Sequence, residues 1–178
     1  GDGLGVIFDV DGVLVDSYHA HKRSWCRLAC ETGVEFTDDD FDGSFGMTSR
    51  EIIRRYWPET DHSDERVETL DAKKESWYRE IIRDDFPVMP GAIELIDALR
   101  TENFILGAGS SGPPENVRLA LDHLGRSDDF RGVVTGRDVD RGKPEPDVFL
   151  LCAKQMGVEP ARCAVFEDAP AGVTAANR

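Results

Sequence analysis

Positive charge is what this chain has least of: 21 lysines and arginines stand against 35 aspartates and glutamates, a net −14 at neutral pH. Nucleic acids and anionic membranes are held through basic surfaces, so this balance argues against both as partners. Cysteine is scarce as well. The four present, Cys26, Cys30, Cys152 and Cys163, include no Cys-x-x-Cys pair. Cys26 and Cys30 stand one helical turn apart, but no His/Cys pair nearby completes a zinc site. Reduced thiols in a cytoplasmic protein are expected. No apolar run approaches the roughly 20 residues that span a bilayer. The first apolar stretch lacks the basic start of a secretory signal and carries acids instead. Internal repeats and low-complexity segments are lacking too.

What the chain does contain is 40% apolar residues over 178 positions, enough for a sizeable core in one domain or one domain with an insert. It opens without Met and closes on "AGVTAANR", which reads as unfinished helix. A core that continues past residue 178 is expected.

"LGVIFDV" near the start is β-branched and apolar with no polar alternation, the pattern of a strand buried on both faces. "FILGAG", "FRGVVTG" and "CAVFED" read as strands as well, the last ending in acid, and helical patterns separate them: "AIELIDALRTEN", "PPENVRLALDHLG" with proline at its first turn, and "PEPDVFLLCAKQMG". "APAGVTAAN" begins one more helix. Between Ser17 and Pro87 no strand is found. "SYHAHKRSWCRLACETG" is a helix stopped by Gly33, "TSREIIRRYW" one capped by Thr48 or Ser49, and "SDERVETLDAKKESWYREIIRDDF" one long helix or two. Strands alternating with helices imply parallel βαβ units. The predicted architecture is therefore α/β: a doubly wound parallel-sheet, Rossmann-like core from residues 1–16 and 88–178, with residues 17–87 inserted as an all-helical domain.

Such sheets bind ligands beyond the carboxyl ends of their strands. The loops predicted there hold Asp9, Asp11, Gly12, Ser110, Ser111, Lys143, Glu167 and Asp168. Three superficially similar motifs fail. "DVDGVLVDSYHA" has Leu14 and Ala20 where a calcium loop needs Gly and Glu. "GRDVDRGKP" has five residues between Gly136 and Gly142, and Pro144 in place of Ser or Thr, so it is no P-loop. "GAGSSG" fits G-x-G-x-x-G but follows an inner strand and leads into two prolines.

Asp9 and Asp11 pose the central question, since like charges at the end of a buried strand repel. A Mg²⁺ ion between Asp9 and the pair Glu167–Asp168 would remove the repulsion, and Mg²⁺ takes oxygen ligands. Asp9 could then attack phosphorus, and Asp11 could protonate the leaving oxygen and later activate water. Lys143 would neutralise the phosphoryl oxygens. Ser110, or its neighbour Ser111, would hold them together with backbone N–H groups around Gly12.

Four stretches in order, "DVDGVLVDS", "GSSG" after a strand, "GKPEPDVF" and "FEDAPAG", resemble the signatures of the haloacid dehalogenase-like superfamily. The resemblance implies Mg²⁺-dependent phosphoryl transfer, with Asp9 as nucleophile, Asp11 as acid and base, Ser110 as phosphate-binding hydroxyl and Lys143 as bridging lysine. It implies Asp9, Glu167, Asp168 and the backbone carbonyl of Asp11 at the metal, and makes residues 17–87 the helical cap. Members that dehalogenate lack an acid where this chain has Asp11. Those that cleave phosphonates use a cap lysine, for which Lys22, Lys73 and Lys74 are the residues present. Among capped members the chain is similar to the β-phosphoglucomutase and phosphoglycolate-phosphatase groups, which makes His21, Arg50 and Lys74 candidate substrate-binding residues. Its loop "GSFGMTSRE" is one residue longer than the mutase pattern and lacks the basic residue before the glycine. A phosphatase acting on a small phosphorylated metabolite is expected, with a sugar-phosphate mutase or a non-catalytic phosphate-binding protein as alternatives. A monomer is expected, and a dimer is compatible.

Overall fold

The computed structural model describes residues 3–44, 47–58 and 62–178; Phe45 and Gly46 of the "GSFGMTSRE" loop lie outside them. Four parallel strands, β1 (Gly5–Phe8), β2 (Ile105–Gly109), β3 (Phe130–Val134) and β4 (Cys163–Phe166), form one sheet in the order β3-β2-β1-β4. The apolar runs have no alternation because both faces of β1 are covered. Val6 and Phe8 pack with Ile96 of α5 (Ala92–Thr101) and Val117 and Leu121 of α6 (Pro114–Leu124). Ile7 packs on the opposite side with Val148, Cys152 and Met156 of α7 (Asp147–Met156) and Ala175 of α8 (Pro170–Asn177). The doubly wound core expected from the sequence is present.

Register sets the functional edge. Phe8 stands opposite Ala108 of β2 and Phe166 of β4, so β1 and β4 end level and β2 runs one residue further. Asp9, Ser110 and Glu167 therefore emerge along a single rim. Main-chain bonds fix two of them: the Asp9 N–H donates to Phe166 O at 2.9 Å and the Ser110 N–H to Val134 O at 3.0 Å. Successive strands step away from β1 through β2 to β3, and β4 then returns to the other side of β1. The switch point lies at β1, where crevices form in such sheets.

The segment between β1 and α5 carries α1 (Tyr18–Thr32), α2 (Asp38–Asp42), α3 (Ser49–Tyr56) and α4 (Asp64–Ile82). These helices have an apolar core of their own, centred on Trp25, Leu28, Phe41, Ile53, Trp57 and Leu70. Trp77 joins it, so all three tryptophans serve packing. Thr48 caps α3 in a reciprocal box with Glu51, and α4 is one continuous helix. The short α2 has no apolar periodicity to announce it; the Thr37–Asp40 capping box starts it. Chain entry and exit run side by side. Val15 and Val88 form an antiparallel bridge, the Asp16 N–H donates to Pro87 O at 2.8 Å, and the Met89 N–H donates to Leu14 O at 3.0 Å. No helix among the described residues is long and apolar enough to cross a membrane.

The cysteines are all free and do not gather: Cys26 and Cys30 are exposed on α1, Cys152 is buried and Cys163 is half-buried. Burial pushes the Cys152 thiol up to about 12, and only the thiolate reacts. At pH 8, iodoacetamide is expected to modify Cys26 and Cys30 within minutes and to leave Cys152 intact until the protein is unfolded, as read by peptide mass spectrometry.

Candidate active site

Asp9 follows β1 directly and is buried among strand tips. Lys143 reaches it from the loop before α7. Its Nζ donates to Asp9 Oδ1 at 2.8 Å and to Glu167 Oε2 at 2.6 Å, and the ammonium lies over the Phe149 ring, 4.9 Å from its centroid. Burial works against the ammonium, but Asp9 and Glu167 more than offset it and hold the Lys143 pKa above its ordinary value. Burial pushes the Asp9 carboxyl up to about 7; Lys143 opposes that shift, while the negative charges of Glu167 and Asp11 add to it. Burial and Glu167 likewise raise Asp168. Three carboxylates thus share one ammonium.

Carboxylate oxygens of Asp9, Glu167 and Asp168 lie within 4.8 Å of one another. An all-oxygen donor set with excess negative charge suits a hard divalent cation such as Mg²⁺. The carboxylates are not equivalent. Both Glu167 oxygens are engaged, Oε2 by Lys143 and Oε1 by the Ala169 N–H at 3.1 Å. Asp168 is exposed at the mouth. Asp9 and Asp168 are therefore the better-placed direct ligands, with Glu167 holding Lys143 and the loop.

Gly12 makes this approach possible. It sits at φ 79°, and a Cβ there would collide with the Asp168 carboxylate. Gly12→Ala is expected to be destabilised by the left-handed backbone alone, about 1–2 kcal/mol. Because the collision pushes Asp168 away, its response to added Mg²⁺ should weaken too. Urea unfolding with and without Mg²⁺ reads both effects.

Asp11 lies at the mouth and belongs to a second group of side chains. His21 Nε2 on α1 is 3.1 Å from Asp11 Oδ1, and the Tyr78 hydroxyl on α4 donates to the same oxygen at 3.1 Å. Burial alone would raise the Asp11 carboxyl, but His21, Ser17 and Lys74 hold it well below the usual carboxylate range. His21 stacks on Tyr78 with ring centroids 4.0 Å apart, and Lys74 Nζ is 2.8 Å from His21 Nδ1. Ser110 is buried, its Oγ accepting from the Gly112 N–H at 3.0 Å, and Ser111 is half-buried beside it. All of these residues except Tyr78 line one cavity of about 290 Å³ between the sheet edge and the helices.

Arg50 is not among them. Its guanidinium faces Asp71 at 3.5 Å and Glu68 at 3.6 Å, and it lines a neighbouring groove instead. The structure therefore does not bring this predicted residue to the cavity. Sequence reasoning missed Tyr78, which lies one turn beyond Lys74 on α4. That i, i+4 spacing was the available signal. It also missed Phe41, Ser44 and Met47, which line the cavity from a segment with no periodic pattern.

The model of haloacid dehalogenase-like hydrolases matches residues 4–178. This chain belongs to the haloacid dehalogenase-like hydrolases. Within that family it is 33% identical to the validoxylamine A 7'-phosphate phosphatase of Streptomyces hygroscopicus subsp. limoneus, over 97% of the chain and 80% of the relative. It is 32% identical to the β-phosphoglucomutase of Bacillus subtilis, over 96% of the chain and 77% of the relative. A solved β-phosphoglucomutase from Clostridium difficile superposes with a TM-score of 0.89 at 28% identity, over 98% of this chain and 80% of that one. The chain is an enzyme of a family whose relatives include sugar-phosphate phosphatases and phosphomutases.

Proposed function

We propose that this haloacid dehalogenase-like hydrolase is a Mg²⁺-dependent phosphatase of a small phosphorylated sugar or similarly small phosphorylated metabolite, working through an aspartyl-phosphate on Asp9. The observation that carries the reading is the convergence of Asp9, Lys143, Glu167 and Asp168 on one cavity floored by Ser110. At about 290 Å³ the cavity lies at the small end of ligand pockets, which supports a small substrate.

Asp9, Asp168 and the Asp11 carbonyl would hold the cation, with Glu167 in support. When bound, Mg²⁺ supplies charge neutralisation for the carboxylates and the phosphoryl group. Lys143 fixes Asp9 through Oδ1, so Oδ2 attacks phosphorus. A P–O bond to Asp9 forms as the bond to the leaving oxygen breaks; Asp11, ionised in the resting site by His21 and Lys74, takes up a proton from solvent as substrate binds and passes it to that oxygen. Asp11 then takes a proton from water as the water attacks phosphorus. Inorganic phosphate leaves and the Asp9 carboxylate is restored. Lys143 and Ser110 hold the phosphoryl oxygens throughout.

Residues 17–87 act as a cap that swings on the paired crossings at Val15–Ser17 and Pro87–Met89. The main-chain bonds joining the two crossings support this division, with residues 1–16 and 88–178 as the catalytic core. Closure would keep bulk water from the acyl phosphate.

Hydrolysis is favoured over a mutase reaction by the cap's side of the cavity. A bisphosphate intermediate needs a cation for its second phosphate. Among the described cap residues lining the cavity the sole lysine or arginine is Lys74, already engaged by Glu75 and His21. The rest of that wall includes Trp25, Phe41, Met47 and Ile52, with the hydroxyls of Ser44 and Ser49. The test is turnover of p-nitrophenyl phosphate with Mg²⁺ and its loss on adding EDTA. β-Glucose 1-phosphate with a trace of the 1,6-bisphosphate should yield no glucose 6-phosphate. Accumulation of that product would make the enzyme a mutase.

A further inference from the structure

Glu75 is a buried carboxylate to which the reaction above gives no task, and it is 3% exposed. A carboxylate is costly to remove from water unless its oxygens are hydrogen-bonded. Here they bond to three different helices. Oε1 accepts from Lys74 Nζ at 2.8 Å and from the Ser49 hydroxyl at 2.5 Å, and Oε2 accepts from Asn116 Nδ2 at 2.6 Å. Asn116 is also buried, and its Oδ1 accepts from Arg79 Nη1 at 2.8 Å. Glu75 and Arg79 stand on α4 and Ser49 on α3, within the helical segment. Asn116 stands on α6, the helix that follows the Ser110 loop. The bonds therefore join the two parts of the molecule through groups sealed from solvent.

The other end of this chain of bonds is Asp11. An ammonium has only protons to give, so His21 Nδ1 accepts from Lys74, and the ring proton sits on Nε2, where it is donated to Asp11 Oδ1.

We propose that Glu75, held by Asn116, is a positioning residue for the acid–base step at Asp11. It fixes Lys74 against His21 Nδ1, and thereby the tautomer and direction in which His21 meets Asp11, while the helical segment is docked on α6. The proposal rests on the assignment of Asp11 given above. An apolar contact would join α4 to α6 with less desolvation, so the carboxylate is better explained by what it orients than by stability alone.

The test pairs kinetics with a direct view of His21. On p-nitrophenyl phosphate with Mg²⁺, Glu75→Gln is expected to lower kcat about ten- to hundredfold with KM little changed, as misplacement of a catalytic group does. Glu75→Asp, which restores the charge on a shorter stem, should recover part of that loss. Asn116→Leu leaves Lys74 and Ser49 on Glu75, cuts only the tie to α6, and should lower kcat in the same direction; it also serves if Glu75→Gln does not fold. Imidazole ¹⁵N NMR of the protein without substrate should show His21 protonated on Nε2 in the wild type and as a tautomer mixture in Glu75→Gln. Wild-type kcat in the folded variants, a loss of melting temperature alone, or a kcat loss with the tautomer unchanged overturns the proposal. A wild-type protein that does not hydrolyse the probe overturns the assigned reaction instead, and the tautomer comparison then still decides the role of Glu75.

Discussion

Asparagine in place of Asp9 is expected to lower turnover of p-nitrophenyl phosphate at least roughly ten-thousandfold, the scale on which enzymes lose rate with their nucleophile. It should leave the melting temperature close to that of the wild type. The amide keeps the shape of the carboxyl, and its oxygen can still accept from Lys143, but it cannot form an acyl phosphate. Stability is spared because Asp9 is a burdened carboxylate: burial pushes its pKa up to about 7, so its charge is not what holds the strand tips together. Lys143 keeps its 2.6 Å partner in Glu167. The measurement is steady-state kinetics alongside thermal unfolding of the same samples. A folded Asp9→Asn that retains turnover removes Asp9 from the chemistry. A wild type that binds phosphate without hydrolysing any ester would instead make the protein a binding module.

Most of the candidate site was legible because its residues stand at strand ends. Two-face burial leaves β1 and β2 without alternation, β4 carries a similar apolar run at the sheet edge with Ala164 and Phe166 exposed, and the first polar residue after such a run lies where the sheet ends. Asp9, Ser110 and Glu167 follow from that alone. Lys143 is different, since it sits in a long loop after β3: its charge in a loop beyond the strand ends makes it a candidate, and the resemblance of "GKPEPDVF" to a family signature then singles it out. Packing reunites it with Asp9, 134 positions earlier in the chain.

The helical segment was legible as helices and illegible as a surface. Periodicity placed α1, α3 and α4, because each buries a stripe against the tryptophan-rich core. It could not say where a long charged side chain on the rim would turn. Arg50 had two carboxylates within reach on α4, Asp71 and Glu68, and pairs with them rather than facing the cavity. Nor could spacing reveal the bond between Glu75 and Asn116, since it depends on how α4 meets α6. Lys74 stands out as a candidate binding residue, but nothing in the sequence marks its neighbour Glu75, and both are buried once the helices pack.

Removing the ammonium of Lys143 should damage fold and function together, and magnesium should separate the two effects. Lys143→Met keeps much of the side-chain length against Phe149 but leaves Asp9 and Glu167 facing each other in a buried place. Breaking a buried pair by deleting one partner typically costs about 3–5 kcal/mol. Part of that is softened here, because Asp9 already leans toward its neutral form. Activity should fall at least about a hundredfold, the cost of losing one donor aimed at developing charge. A cation that binds only the folded protein stabilises it in proportion to the logarithm of its concentration over Kd. The variant has one positive charge fewer among the same three carboxylates, so Mg²⁺ should raise its melting temperature by more than it raises that of the wild type. Turnover should nevertheless remain low, because a cation among the carboxylates does not replace a donor on the phosphoryl oxygens. Equal magnesium shifts in the two proteins would mean that the ion does not sit among Asp9, Glu167 and Asp168. Full activity in Lys143→Met would mean that the lysine serves the fold alone.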